Sequence, residues 1–168
     1  SDTDWAACPR TRKSTSGGCV MLGRHSLKSW SSTQQGRPKM SSAEAEFFGA
    51  MLAAREMLFA IELFADLGLE IPAPAALYSD SKSAVDLAFD PVAFKKTKHI
   101  LRAAVGLRDY VARQVYVMIH ITGRINMADI LTKAQAVSVF VELMTAYHSH
   151  TRLPARDGSE VAVPGHEE

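Results

Sequence analysis

The sequence has few of the features that mark several protein classes. Its 168 residues include only two cysteines, Cys8 and Cys19, which excludes a disulfide framework and a cysteine-based zinc site. Seven prolines and ten glycines are too few for a fibrous or low-complexity chain. No apolar run is long enough to span a membrane, because the longest helical stretch, near residues 51–69, carries four charged side chains.

The chain also lacks a strong net charge, since its formal value is only +1. The charges are unevenly distributed, with +5 in residues 1–41, −7 in residues 42–91 and +6 in residues 92–133. That distribution suits a site that gathers carboxylates around a cation between basic surfaces that hold a polyanion. Solvated faces of an amphipathic fold would give the same distribution, so charge alone does not decide.

The composition, 47% hydrophobic and 22% charged, is that of one globular domain. We expect residues 1–148 to form this domain and residues 149–168, with proline, glycine and mixed charges, to be a flexible tail. The chain starts without Met or a signal sequence, which we interpret as a fragment of a longer polypeptide with a truncated first strand.

The order of apolar patterns predicts an α/β fold. A strand hairpin occupies the first 32 residues, and a capping box, Ser41 with Glu44, begins a long helix that continues to Leu67. The remaining predicted elements are a strand at 75–78, helices at 81–89 and 95–113, a strand at 115–121, and a helix at 127–147 capped by Asn126. This order indicates a mixed sheet flanked by helices.

Four acidic residues fall at positions that this fold would bring to one edge of the sheet: Asp2, Glu46, Asp80 and Asp129. Each alone is explained by surface exposure, helix capping or a favourable first-turn charge. Together they would repel one another unless a cation held them, and carboxylate oxygens are the ligands that Mg²⁺ prefers.

Two neighbouring pairs of acidic residues need separate treatment. Glu44 and Glu46 point about 200° apart on a helix, and the capping box engages Glu44, so Glu46 is the inward residue. Asp2 and Asp4 share one face of a strand, and spacing alone does not choose between them.

Seven short blocks, in this order, carry a resemblance to a known family: Ser1–Ala6, Arg12–Gly17, Ser29–Ser32, Ser41–Phe47, Leu77–Ser81, Thr97–Ile100 and Ala128–Lys133. The chain from Ser1 to about Phe140 resembles the ribonuclease H domain of the Pol polyprotein of copia-type LTR retrotransposons. The resemblance implies an RNase H-like fold, with a five-stranded mixed sheet whose first three strands are antiparallel. It also implies hydrolysis of the RNA strand of RNA/DNA hybrids during reverse transcription.

The resemblance further implies which residues do this work. Asp2, Glu46, Asp80 and Asp129 match the family's catalytic carboxylates, which would hold two Mg²⁺ ions, with Mn²⁺ as an alternative. Asp2 would bridge both ions, Glu46 and Asp80 would complete one, and Asp129 the other. Asp4 and Ser81 would lie beside these ligands without binding metal. Basic residues would hold the hybrid's phosphates: Arg12, Lys13, Lys39, Lys95, Lys96, Lys98 and His99.

The implied partners are the RNA/DNA hybrid and a reverse transcriptase domain upstream in the same polyprotein, with no membrane. The implied location is intracellular, in a cytoplasmic virus-like particle. Three departures from the family stand out: no histidine in the loop 122–126, Val105 where a second histidine is usual, and Gly18 in place of an aromatic residue. We expect His120 to be an edge-strand residue.

The main alternative is the same fold as an inactive nucleic-acid-binding remnant, against which the four intact carboxylates argue. An integrase or resolvase would need other acidic spacings. A serine hydrolase lacks its Gly-x-Ser-x-Gly elbow here, and a phosphate loop lacks its lysine after Gly17 and Gly18.

Overall fold

The computed structural model describes residues 1–23, 25–89 and 101–148. Within these ranges the chain has a mixed α/β architecture, as predicted. The strands are Asp2–Asp4 (β1), Thr15–Leu22 (β2), His25–Thr33 (β3), Ala75–Ser79 (β4) and Tyr116–His120 (β5). The α-helices are Ser42–Asp66 (α1), Lys82–Phe89 (α2), Leu101–Ala112 (α3) and Val137–His148 (α4). Two 3-10 turns, Gly123–Ile125 and Met127–Leu131, lie between β5 and α4.

The strands form two sheets in the described residues, which corrects the expectation of a single five-stranded sheet. β1, β2 and β3 are antiparallel, as predicted, while β4 and β5 form a separate parallel pair. β1 has three residues, all paired with β2, and among the described residues no ladder joins its other edge to β4. A hydrogen bond from the Ser1 nitrogen to the Tyr78 carbonyl, at 2.7 Å, links the two sheets, but no described ladder extends from it.

Helix α1 begins where the capping box predicts. The Ser41 hydroxyl accepts a hydrogen bond from the Glu44 backbone nitrogen at 3.1 Å. The Glu44 carboxylate accepts one from the Met40 backbone nitrogen at 2.8 Å. These bonds satisfy donors that a helix N-terminus otherwise leaves unpaired. The helix ends at Asp66, and Gly68 follows with a φ of +75°, which glycine adopts without strain.

The apolar core lies between α1, α2, α3 and the parallel pair of strands. Phe47 from α1 and Tyr116 and Met118 from β5 are almost completely buried in it. The Tyr116 hydroxyl donates a hydrogen bond to the Ala54 carbonyl at 2.7 Å, so its one polar group is paired inside the core. The core therefore fixes α1 against β5 and sets the position of the first turns of α1.

The prediction of one continuous helix at 127–147 is wrong in its first half, while α4, Val137–His148, confirms its second half. Asn126 caps only the short 3-10 turn Met127–Leu131, through a hydrogen bond from the Ala128 nitrogen to its side chain at 3.2 Å. The chain then loses helical structure until α4 begins at Val137. In this interval the side chains of Thr132 and Lys133 bond to the Asp2 carboxylate of β1. The predicted tail, 149–168, and the start of the predicted helix 95–113 lie outside the described residues.

Across the described part of the chain, no helix is both long enough and apolar enough to cross a membrane.

Candidate metal centre

Three of the four predicted carboxylates meet at one point. Asp2 comes from β1, Glu46 from α1, and Asp80 directly follows β4. One oxygen of each lies within 4.8 Å of those of the other two. Asp2 is completely buried and Glu46 is 8% exposed, while Asp80 is partly buried. The site therefore joins both sheets and the long helix, and it collects negative charge where little water can screen it.

Glu46 shows most directly that this charge is incompletely neutralised. Burial, together with the negative charges of Asp2 and Asp80, raises the pKa of Glu46 to about 8. The positive charge of Lys133 and a hydrogen bond from the Thr3 backbone only partly oppose this rise. Its Oε2 atom is buried and has no hydrogen-bond partner among the described residues. A divalent cation fits here, because it would supply both the missing partner and the missing charge.

Asp80 is held in place by its backbone. The His120 ring nitrogen Nε2 lies 3.0 Å from the Asp80 carbonyl oxygen, within hydrogen-bond distance. Gly123 packs closely beside the carboxylate, since a Cβ atom there would lie 3.2 Å from Asp80 Oδ2. His120 is exposed at the end of β5, so it is the edge-strand residue predicted, and it also positions the turn that carries Asp80.

The two residues predicted to lie beside the ligands have different surroundings. The Ser81 hydroxyl caps α2, because it accepts a hydrogen bond from the Ala84 nitrogen at 3.3 Å. Asp4 ends β1 and is half-buried, and it is not part of the group of three carboxylates. Spacing in the sequence did not distinguish Asp2 from Asp4. In the structure, Asp2 is the one that joins Glu46 and Asp80.

Asp129, the fourth predicted carboxylate, is joined to Asp2 through a lysine. Lys133 Nζ lies 3.0 Å from Asp2 Oδ1 and 3.2 Å from Asp129 Oδ1. Burial is the main cause that raises the pKa of Asp129 to about 6, followed by a hydrogen bond with Asp2 and the negative charge of Asp2. Lys133 opposes the shift. Burial would lower the pKa of Lys133, but the two carboxylates outweigh it and raise that pKa. The pair Asp2 and Asp129 thus already has a cation.

Thr132 and Lys133 were part of a recognised motif, but no role was predicted for them. The Thr132 hydroxyl donates a hydrogen bond to Asp2 Oδ2, while Lys133 bonds to Oδ1. Gly17 in β2 permits this approach, because a Cβ atom there would lie 2.8 Å from Leu131 Cβ and from Thr132 Cγ2. The signal that could have identified Lys133 is its position four residues after Asp129, a spacing typical of ion pairs.

The predicted phosphate-binding residues are only partly described. Arg12 is exposed in the turn after β1, and Lys13 is half-buried. The Lys39 ammonium lies 3.8 Å from the centroid of the Phe48 ring, a cation–π contact that holds it at the start of α1. The other four, Lys95, Lys96, Lys98 and His99, lie outside the described residues.

Packing against Trp30 explains why position 18 is a glycine and not the aromatic residue of the family that the chain resembles. A Cβ atom at Gly18 would lie 2.6 Å from Cη2 of Trp30, the residue paired with it on β3. The glycine therefore makes room for the indole ring, which packs against the edge of the core. An aromatic side chain at this position would displace Trp30.

Comparisons with known proteins agree with the resemblance at the level of the polyprotein. The chain is 33% identical over 140 residues to the retrovirus-related Pol polyprotein from transposon RE1 of Arabidopsis thaliana, which covers 83% of this chain and 10% of that protein. It is 33% identical over 133 residues to the corresponding protein from transposon RE2 of the same plant, covering 79% of this chain and 9% of that protein. The chain is a homologue of retrotransposon Pol polyproteins.

A third relative is the retrovirus-related Pol polyprotein from transposon TNT 1-94 of Nicotiana tabacum. It is 31% identical over 132 residues, covering 79% of this chain and 10% of that protein. The chain thus spans about a tenth of the length of the Pol polyproteins that it matches. No family model matches the chain. No solved structure matches it either.

Proposed function

We propose that this chain is the ribonuclease H domain of a retrotransposon Pol polyprotein and hydrolyses the RNA strand of RNA/DNA hybrids. The observation that carries the proposal is the convergence of Asp2, Glu46 and Asp80, whose carboxylate oxygens lie within 4.8 Å of one another. These residues are far apart in the chain and come from three different elements. The homology to Pol polyproteins supplies the setting in which such an activity is needed.

The fold supports the proposal through its arrangement of strands. The first three strands are antiparallel and the last two are parallel, which are the pairings expected of an RNase H-like fold. The Ser1–Tyr78 hydrogen bond lies at the edge where β1 and β4 approach, so it aligns the two sheets side by side. We therefore assign the chain an RNase H-like fold in which the join between the sheets is short.

The proposed cofactor is Mg²⁺, with Mn²⁺ as a substitute. Asp2, Glu46 and Asp80 would hold one ion, and Asp2 with Asp129 would hold a second. A divalent cation would supply Lewis-acid chemistry, which activates water and stabilises charge on phosphate oxygens. The protein's part is to present Asp2 rigidly, and Thr132 does this through its hydrogen bond to Oδ2. Glu46 is poised to lose its proton when positive charge arrives, because its raised pKa results from burial and repulsion.

The proposed substrate requires a basic surface near this acidic centre. We propose Arg12, Lys13 and Lys39 as its described part, since phosphate contacts by basic residues set affinity without reading sequence. Selection of RNA over DNA would come from contacts with the 2′-hydroxyl. A reverse transcriptase segment upstream in the same polyprotein is the proposed partner, within a cytoplasmic virus-like particle.

The test is cleavage of a labelled RNA/DNA hybrid with Mg²⁺ or Mn²⁺ by the wild-type chain, Asp80→Asn and Asp86→Asn. Asp86 is the matched control, since it is an exposed aspartate on the neighbouring helix α2. We expect hybrid-specific cleavage by the wild type and Asp86→Asn, at least 100-fold less by Asp80→Asn, and none with chelator. Single-stranded RNA, duplex RNA and duplex DNA should remain intact.

The proposal would be contradicted if the wild-type chain bound the hybrid but did not cleave it. The chain would also have to stay inactive when joined to its upstream segment. That result would identify the inactive nucleic-acid-binding remnant. Equal cleavage by the wild type and Asp80→Asn would show that the activity does not come from this site.

A further inference from the structure

Lys133 brings a positively charged side chain to the carboxylates of the site. Its ammonium lies between two of them, 3.0 Å from Asp2 Oδ1 and 3.2 Å from Asp129 Oδ1. Asp2 is shared, because the same carboxylate also belongs to the group formed with Glu46 and Asp80. One of the two cation positions that the four carboxylates could form is therefore taken by a side chain of the protein itself.

We infer that Lys133 is a built-in counterion that competes with a second divalent cation for Asp2 and Asp129, and so limits the site to one tightly bound cation. This inference deepens the proposed function and rests on it, since it takes a divalent cation to bind at Asp2, Glu46 and Asp80. It assigns to Lys133 a role in cation occupancy that its sequence motif alone does not indicate.

The local backbone makes the position of Lys133 specific. The backbone nitrogens of Thr132 and Lys133 both donate to the Asp129 carbonyl, at 3.2 Å and 3.0 Å. This tight turn, placed against Gly17, aims the side chains of both residues at Asp2. Two neighbouring side chains thus converge on the two oxygens of one carboxylate. An ion pair that formed only because no other partner was available would not need this convergence.

A divalent cation can displace the Lys133 ammonium from the two carboxylates. The Lys133 side chain is 37% exposed, whereas that of Asp2 is fully buried and that of Asp129 is 16% exposed. The ammonium is a compact charge on a flexible four-carbon stem, so it can move into water while the carboxylates stay in place. A single positive charge also leaves the pair of carboxylates incompletely neutralised, and a divalent ion would complete the neutralisation. Competition is therefore reversible and depends on cation concentration.

The test measures Mn²⁺ binding to the full chain by calorimetry and by the paramagnetic resonance signal of free Mn²⁺. Wild type, Lys133→Met and Lys133→Arg are compared with the matched control Lys82→Met, because Lys82 forms an exposed ion pair with Asp86 at the same four-residue spacing. We expect one tight and one weak Mn²⁺ in wild type, Lys133→Arg and Lys82→Met. In Lys133→Met the second Mn²⁺ should bind at least about fivefold more tightly, the effect of one unit charge at ~4 Å screened as in water.

A second readout separates a counterion from a residue that only packs. In chelator, Lys133→Met should melt roughly 5 °C below wild type, because Asp2 and Asp129 then face each other without a cation, while Lys133→Arg should melt near wild type. Saturating Mn²⁺ should abolish the deficit of Lys133→Met. If this variant folds only with Mn²⁺, that result also supports the inference, since the ion has replaced the ammonium.

Three outcomes would overturn the inference. If Lys133→Met still bound the first Mn²⁺ but its affinity for the second were unchanged, Lys133 would not compete with that ion. The proposed function would then stand without the inference. Failure of Lys133→Met to fold even in saturating Mn²⁺ would make the lysine purely structural. Absence of any Mn²⁺ binding by wild type would remove both the inference and the cation site of the proposed function.

Discussion

At the scale of single residues, two glutamates of α1 show how strongly position determines chemistry. Glu44 accepts a hydrogen bond from the Met40 nitrogen and serves the helix cap. Glu46, two positions later, points into the site and has a pKa raised to about 8. Helical geometry separates the two side chains by about 200°, and the capping box predicted which of them serves the cap. Both residues are nevertheless buried, Glu44 at 2% and Glu46 at 8% exposure. The size of the pKa shift was not predictable, since it depends on Asp2 and Asp80 from elsewhere in the chain.

The raised pKa of Glu46 predicts how stability depends on pH in the metal-free protein. A carboxyl whose pKa is higher in the folded state binds more protons there, so the free energy of unfolding falls as pH rises between the unfolded and folded pKa values. For Glu46 this window runs from about 4.5 to about 8. We expect denaturant titrations in chelator to show stability falling across it, by at most about 1.4 kcal/mol per pH unit for this one group.

The variant Glu46→Gln isolates this contribution. Asp129 adds a slope of the same sign, but only up to its own pKa of about 6. Above pH 6 the slope should therefore be reduced in Glu46→Gln and kept in Glu62→Gln, which changes an exposed residue of the same helix. A slope between pH 6 and 8 that is equal in both variants would show that Glu46 is not the titrating group.

At the scale of elements, local sequence predicted α1 well and the last helix poorly. The start of α1 is set by Ser41 and Glu44 within one turn, so the determining contacts are local. Residues after Asn126 have similar helix-forming composition, yet they form a 3-10 turn that ends at Leu131, and the α-helix begins only at Val137. Between the two, Lys133 bonds to Asp2, which is 131 residues away in the chain. Such a contact leaves no periodic signal.

The close approach of β2 to the Met127–Leu131 turn predicts a specific effect of Gly17→Ala. The added methyl would lie 2.8 Å from Leu131 Cβ and Thr132 Cγ2, closer than real Cβ contacts, so the turn must move. We expect a loss of about 1–3 kcal/mol in stability by denaturant titration. Binding of a cation at Asp2, Glu46 and Asp80 should also weaken, because Thr132 shifts with the turn and no longer holds Asp2.

Gly106→Ala is the matched control for this prediction. Gly106 lies in α3, and a Cβ atom there would meet no described atom within 4 Å. Alanine should therefore be neutral or stabilise the chain, by up to about 1 kcal/mol, because glycine is unfavourable inside a helix. Equal effects of the two substitutions would contradict the role assigned to the β2 contact.

At the scale of the whole molecule, the central question is how two small sheets act as one scaffold. The order of elements was predictable from sequence, and so was the convergence of acidic residues at one edge. The contact that joins the two sheets was not predictable from sequence, because it depends on a few long-range polar contacts around Ser1. The Ser1 nitrogen donates to the Tyr78 carbonyl of β4, and the Asn126 side chain donates to the Ser1 carbonyl at 3.0 Å. One residue beside Asp2 is thereby bonded both to β4, which precedes Asp80, and to Asn126, which precedes Asp129.

Asn126 is the part of this join that can be tested by substitution. Asn126 is 2% exposed, and its side chain makes two bonds, one to Ser1 and one that caps the turn carrying Asp129. Asn126→Ala removes both, and we expect a loss of about 2 kcal/mol in stability, or a melting temperature roughly 6 °C lower. Cation binding should weaken as well, because Asp2 and Asp129 would no longer be held in one geometry.

The variant Asn126→Ser separates the two bonds, because a serine side chain still caps a helix but is too short to reach Ser1. If the join to Ser1 matters for the whole molecule, Asn126→Ser should recover about half of the lost stability while its cation affinity stays as weak as that of Asn126→Ala. Full recovery of cation affinity by serine would mean that the cap alone positions Asp129. The exposed Gln35→Ala substitution should change neither quantity, which would exclude a general effect of losing an amide side chain.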